Sequence, residues 1–302
     1  MKILAIYYSQ SGQLNEIIKN FVSPIQDAEI DFVQYRPKID FPFPWTSEVF
    51  YNAMPESVME VPVELEEISY KEEKYDLIII GYQPWFLSPS IPTTSLLKDE
   101  KFIKIMKNTP IITVIGSRNM WLNAQEGVKK MIQDAGGKLV GNVPLIDKNP
   151  NLISAVSIVH WMLTGKKERK FGIFPTPGIS QEDIENVSEY GKMLNNALKR
   201  NELENFQTEF RAAGGVNINT NILFIEGKAK RIFRIWASLI KRNELKGKRK
   251  RWVKFFKNYL LIALFGVSPI LLTFYNILIR PFTGRSIKQK KEYFYSTELK
   301  NK

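Results

Sequence analysis

The chain has no cysteine and one histidine, His160. Without thiols it forms no disulfide, holds no iron–sulfur cluster and performs no thiol chemistry. One imidazole is too few for the usual zinc ligand sets, so no metal site is expected. Any redox chemistry must then be carried by a bound organic cofactor. Two phosphate-binding signatures are missing as well. There is no Gly-x-x-x-x-Gly-Lys run for a nucleoside triphosphate and no Gly-x-Gly-x-x-Gly turn for a dinucleotide. Internal repeats and low-complexity tracts are absent. The apolar start is too short for a secretory h-region and runs into polar residues, so the expected compartment is the cytoplasm or its membrane face.

What is present is a chain of 302 residues with 44% hydrophobic content, long for one α/β domain. Through residue 201, strand and helix patterns alternate at βα spacing. Strands are expected near 2–8, 29–35, 75–82, 110–116 and 138–145, and helices near 13–22, 94–107, 121–135, 151–164 and 181–200. Leu77-Ile78-Ile79-Ile80 and Ile111-Ile112-Thr113-Val114-Ile115 are continuously apolar, as strands covered on both faces are. The expected fold is therefore α/β, a doubly wound five-stranded parallel sheet. In such sheets ligands sit at the carboxyl ends of the strands, where the loops after Tyr8, Ile80 and Ile115 should converge.

Those three loops are unusual. The first, Ser9-Gln10-Ser11-Gly12-Gln13-Leu14, delivers two hydroxyls to the start of a helix, and Gly12 allows close approach of an anion. With triphosphates and dinucleotides set aside, flavin mononucleotide (FMN) is the remaining common ligand. The loop resembles the first loop of the flavodoxin-like family, Thr/Ser-x-Thr-Gly-x-Thr, at Ser9, Ser11 and Gly12. It departs at Leu14, where that family carries a phosphate-binding hydroxyl. The second loop holds Pro84-Trp85-Phe86-Leu87, aromatics fixed between prolines, and resembles the ring-walling loop of flavodoxin-like quinone reductases. The third, Ser117-Arg118-Asn119-Met120-Trp121, is similar to the family's second ring-contacting loop. There backbone N–H groups would bond the pyrimidine edge, and Arg118 would offset negative charge on the reduced ring.

Two insertions interrupt this pattern. Residues 37–70 combine five prolines with Phe41, Phe43, Trp45, Phe50 and Tyr51, too aromatic for a disordered linker and too proline-rich for a helix, and are expected to form a lid. Residues 146–180 add a helix carrying His160, the one side chain with an ordinary pKa near neutrality and so a candidate general base.

The charge is lopsided. Residues 202–302 carry a balance of +14, against −2 for residues 1–201. A basic region of this kind meets a polyanion. Nucleic acid is disfavoured because no binding motif accompanies the charge. The charge surrounds an amphipathic pattern at 228–242 and an uncharged run of 22 residues, 258–279, which point to an anionic membrane surface. Gly266 and Pro269 fall mid-run and both flanks are basic, so a re-entrant pair of half-helices is expected ahead of a single tilted span. A second region, 202–302, is thus expected as a helical, membrane-associating extension on the cytoplasmic face.

A flavodoxin-like head with a basic apolar tail resembles the dialkylresorcinol condensing or aromatising enzymes of flexirubin and aryl-polyene pathways. The resemblance implies an FMN-dependent oxidoreductase acting on a lipophilic small-molecule substrate. A dialkylcyclohexanedione supplied by a partner ketosynthase would be oxidised to a dialkylresorcinol. Candidate bases are His160, Tyr82 and Asp147. A nicotinamide-dependent quinone reductase and a membrane-tethered electron carrier are the alternatives, and Leu14 leaves open a head that has lost FMN.

Overall fold

The computed structural model describes residues 1–299, so the last three residues of the expected extension lie outside it. Five parallel strands form the central sheet: β1 (Lys2–Tyr7), β2 (Glu29–Gln34), β3 (Leu77–Tyr82), β4 (Pro110–Ser117) and β5 (Lys138–Ile146), in the order β2-β1-β3-β4-β5. This is the flavodoxin-like doubly wound order, with its switch point between β1 and β3. All six residues of β3 are buried, because helices cover both faces. The edge strand β2 buries only Asp31 and leaves Phe32 exposed.

Helix α1 (Gln13–Val22) places Leu14, Ile17, Ile18 and Phe21 on the sheet, the i, i+3, i+4, i+7 stripe of an amphipathic helix. It packs closely on the helix Gln181–Arg200 (α8). A Cβ at Gly191 of that helix would fall 2.0 Å from the Phe21 carbonyl oxygen. Between β2 and β3 the proline-rich insertion folds into two short helices, α2 (Ser47–Asn52) and α3 (Met54–Val58), correcting the expectation that prolines keep it from being helical. Thr46 caps α2, and Pro55 occupies the first turn of α3, where no intrahelical N–H is needed. The helix expected at 94–107 is also two, α4 (Ile91–Leu97) and α5 (Glu100–Met106). The Asp99 carboxylate accepts from the Phe102 N–H at 2.8 Å and starts the second. Helices α6 (Leu122–Asp134), α7 (Asn151–Thr164) and α8 (Gln181–Arg200) lie where the periodicity put them.

Beyond residue 201 the chain first returns to the sheet: Phe206 and Phe210 of α9 (Phe206–Ala212) are fully buried in the main core. Helix α10 (Thr220–Glu244) is longer than the 228–242 pattern, and its apolar face is not free. Ala237 and Ile240 join Met54 and Val58 of the lid and Val253 and Phe256 of the next helix in a second core.

The following helix, α11 (Arg249–Phe282), runs 34 residues without a break, which corrects the expected pair of half-helices. Pro269 follows a π-helical turn, Ala263–Val267, whose wider backbone accommodates its ring and missing N–H, and a second π turn spans Tyr275–Ile279. Its most apolar stretch has a mean hydropathy of 2.0 and is only 6% buried. The helix is long and apolar enough to cross a membrane. Helix α12 (Gly284–Tyr295) then brings the chain back. Gln207 Nε2 donates to the Tyr295 carbonyl at 2.9 Å, and Lys129 Nζ to that of Ser296 at 2.8 Å.

Candidate functional site

A cleft of about 540 Å³ opens where β1, β3 and β4 end, with the lid, α7 and the tail as its other walls. That volume suits a cofactor-sized ligand. All three unusual loops reach it, as the strand order requires.

At one end stands the β1–α1 loop. Gln10, Ser11, Gln13 and Leu14 line the cleft. Gly12, the N-cap of α1, is left-handed (φ +90°) and has no side chain with which to cap the helix, so the positive end of its dipole faces the cleft with only the Asn15 N–H met by a side chain. Ser9 stands slightly back, its hydroxyl accepting from the Asn15 N–H at 3.2 Å. Gln13 is braced by donation to the Ile179 carbonyl at 2.9 Å. Gln10 ties the loop to the lid, accepting from the Trp45 indole N–H at 3.1 Å.

The β3 loop makes a tight two-stranded ribbon, Pro84–Trp85 against Ser88–Pro89, with Phe86 and Leu87 at its tip. Both tip residues are left-handed (φ +48° and +62°), a costly conformation for side chains of this size and one concentrated at ligand sites. Pro84, Trp85, Phe86 and Leu87 all line the cleft. Trp85 is almost buried. It packs edge to face on Phe41 (4.9 Å), Trp45 (5.1 Å) and Tyr8 (6.2 Å), forming part of an aromatic collar rather than a free-standing platform.

From the β4 loop, Ser117, Arg118 and Met120 line the cleft, whereas Asn119 and Trp121 sit behind them, buried. The Arg118 guanidinium donates twice to Asn151 at the start of α7, both at 2.9 Å. Burial lowers its pKa to about 10, so it stays charged at neutrality. Three polar atoms here are buried and unpartnered: Gln83 Nε2, Ser117 Oγ and Asn119 Oδ1. Leaving such atoms unmet costs about 1–3 kcal/mol each. Gln83 and Ser117, at the ends of β3 and β4, line the cleft, and their orphaned atoms fit the polar edge of a heteroaromatic ring.

None of the three expected bases reaches the cleft. Tyr82 is fully buried, its hydroxyl donating to Gln125 Oε1 at 2.6 Å, and burial pushes the phenol well above its ordinary range. Asp147 is committed to Ser154 Oγ (2.7 Å) and to the Asn149 N–H (2.9 Å). His160 projects from α7 on a side that does not line the cleft, although its neighbours Val159 and Trp161 do. The cause is the same in each case: sequence shows which residues can titrate, not which way a side chain turns once packed. Among the described residues the titratable side chains lining the cleft are Tyr51, Arg118 and Tyr259.

Several lining residues went unseen in the sequence. Phe43, Trp45, Phe50 and Tyr51 of the lid were visible only as an aromatic cluster, and Gln83 carried no signal. The far wall was not foreseen at all. It is built by Ile225, Ala229 and Phe233 of α10 and by Tyr259, Leu260, Leu261, Ala263, Leu264, Phe265 and Ser268 of α11. The apolar helix is therefore part of the site. Glu226, also unforeseen, is fully buried behind that wall. Its Oε1 accepts from the Asn123 N–H at 2.6 Å, capping α6 from the tail.

Neither a family model nor a curated protein sequence matches the chain. Among solved structures, it is similar to a Lactobacillus acidophilus flavoprotein in complex with FMN (18% identity, TM-score 0.40, covering 47% of this chain and 92% of that one). It is also similar to Bacillus cereus flavodoxin 1 (16%, 0.32, 63% and 95%). A flavone reductase gives 12% identity and a TM-score of 0.35, covering 67% of this chain and 64% of its own. With likenesses this distant, the chemistry of the cleft has to be read from its own residues.

Proposed function

We propose that the chain is a membrane-associated, FMN-dependent oxidoreductase acting on a lipophilic cyclic substrate. The observation that carries this is the meeting, at the polar end of the cleft, of the α1 N-terminus, whose N-cap Gly12 carries no side chain, with two orphaned polar atoms on the wall, Gln83 Nε2 and Ser117 Oγ. Backbone N–H groups of Ser11, Gly12 and Gln13, with the Ser9 and Ser11 hydroxyls, would hold the phosphate; the orphaned atoms would meet the ring's polar edge. Leu14 offers no hydroxyl, so the backbone and the dipole must do more of that work. When bound, FMN supplies two-electron chemistry at its ring. Arg118 keeps a fixed positive charge beside it, and the lid, with α11, excludes water. A carrier exchanging electrons with protein partners would need its ring open to solvent.

Of the reactions such a site supports, reduction of a quinone fits best. The cleft wall carries no carboxylate or imidazole among the described residues, and a quinone's protons come from solvent or from a phenol such as Tyr51. One observation favours oxidative aromatisation as a second reading: Arg118 would hold a cyclic 1,3-dione as its enolate, which removes the need for a strong protein base. A ketosynthase would then be the partner that supplies the dione.

The membrane association is supported by α11 and its basic flanks, which would favour an anionic, cytoplasmic leaflet. Full-length protein loaded with FMN and placed in vesicles should oxidise reduced nicotinamide only when a quinone is present. Turnover with a cyclohexanedione and oxygen, but not with quinones, would transfer the assignment to aromatisation. Turnover with neither would remove the enzymatic reading.

A further inference from the structure

The cleft and the lipid-facing surface share a wall, and we infer from this that the substrate ring carries a hydrocarbon chain and enters sideways from the bilayer, with the chain lodged along α11. The inference rests on the oxidoreductase reading for the ring end of the cleft. For the chain end it rests on geometry alone.

Tyr259, Leu260, Leu261, Leu264, Phe265 and Ser268 occupy successive turns on one side of α11 and line the cleft over about 14 Å of helix at 1.5 Å per residue. Leu261 and Phe265 are also exposed, at 41% and 45%, and adjoin the outward residues Ile262 and Ile270. They form a threshold: one part of each side chain belongs to the cleft and another to the surface that lipid would cover. Phe50, Tyr51 and Phe86 line the cleft as well, so the passage is mostly aromatic and aliphatic.

Most polar groups gather at the far end, at Gln10, Ser11, Gln13, Gln83, Ser117 and Arg118, and the α11 end has only the hydroxyls of Tyr51, Tyr259 and Ser268 among its apolar side chains. A molecule matched to this gradient is an amphiphile with a flat, hydrogen-bonding ring and an apolar chain. The ring alone would leave the apolar end unfilled. A chain without a ring would leave the orphaned polar atoms unmet. The lid is held over the passage from the tail side: Arg249 donates to both Glu56 carboxylate oxygens (3.0 and 2.8 Å), and Lys257 Nζ to Ser47 Oγ at 3.0 Å. The route is therefore bounded by the membrane helix below and by a lid fastened to that same helix above.

The test compares two probes, naphthoquinone and its dodecyl derivative, binding to full-length protein in phosphatidylcholine–phosphatidylglycerol nanodiscs by quenching of tryptophan fluorescence. Leu264→Trp fills the chain end without adding charge, and Ile270→Trp makes the same change on the lipid face as a control. Partitioning into lipid favours the dodecyl compound equally in every variant, so the decisive quantity is the difference between variants. In wild type and Ile270→Trp the dodecyl compound should bind at least roughly tenfold more tightly than naphthoquinone, since each buried methylene adds to affinity. In Leu264→Trp most of that advantage should vanish, while naphthoquinone affinity stays within about threefold of wild type. An advantage retained in full by Leu264→Trp, or lost equally in Ile270→Trp, overturns the inference. Normal binding of both probes with no turnover would count against the oxidoreductase reading and leave the chain passage standing.

Discussion

Single residues decide both ends of the cleft. At the α1 end, Gly12 holds a left-handed conformation with open space around the position a Cβ would take, so the obstacle to substitution is the backbone and not packing. For an L-residue that conformation costs about 1–2 kcal/mol, and more when the side chain is β-branched. Gly12→Val should therefore weaken FMN binding by roughly tenfold, as measured by flavin titration, with little change in the sheet's circular dichroism. Behind the far wall, Glu226 is an isolated acid. Burial raises its pKa to about 7, against the pull of the Asn123 and Leu122 N–H groups and of Lys230, with Glu126 and Glu60 also near that lysine. The folded state thus holds a proton that the unfolded chain releases near pH 4.5. Stability should accordingly fall as pH rises from about 4.5 to 7, by up to on the order of 3 kcal/mol. Glu226→Gln keeps an acceptor for the Asn123 N–H and cannot ionise. Denaturant midpoints measured across that window should lose most of their slope in this variant, and an unchanged slope would place the titration elsewhere.

Among the elements, the lid shows how the head and tail act together. Burial alone would raise the Glu56 carboxyl, but its bonds to Arg249 and Lys241 more than reverse this and hold it below the ordinary carboxylate range. Glu56→Ala should cost about 1–3 kcal/mol and free the lid. Limited proteolysis should then cut within residues 37–70 faster than in wild type, whereas an unchanged cleavage rate would mean that the lid is held by packing alone. Elements were legible where their pattern was local. β3 and β4 are continuous apolar runs, and α1 and α8 carry clear helical periodicity. The single helix expected at 94–107 failed on one residue, Asp99, whose side chain starts a new helix. The break expected at Pro269 failed because a π turn absorbed it. The lid's helices were hidden by prolines that helices accept in a first turn. At the site, the three loops could be read because strand order makes them converge. The three bases could not, because the directions of Tyr82, Asp147 and His160 depend on partners that are distant in sequence, such as Gln125 for Tyr82.

The whole molecule is an α/β head whose ligand cleft is completed by an apolar, basic-flanked helix. The charge and the apolar surface would act on a membrane differently: salt screens the first and leaves the second. Full-length protein should sediment with phosphatidylglycerol-containing vesicles and stay bound in high salt. Release by salt would reduce α11 to a core helix with an unusually exposed face. Flavin occupancy tests the central claim most directly. Protein purified without added cofactor, then denatured, should release FMN and no other flavin, approaching one per chain after reconstitution. A folded protein that releases none and shows no binding in an FMN titration would contradict the reading of the α1 N-terminus and the orphaned polar atoms as a flavin site.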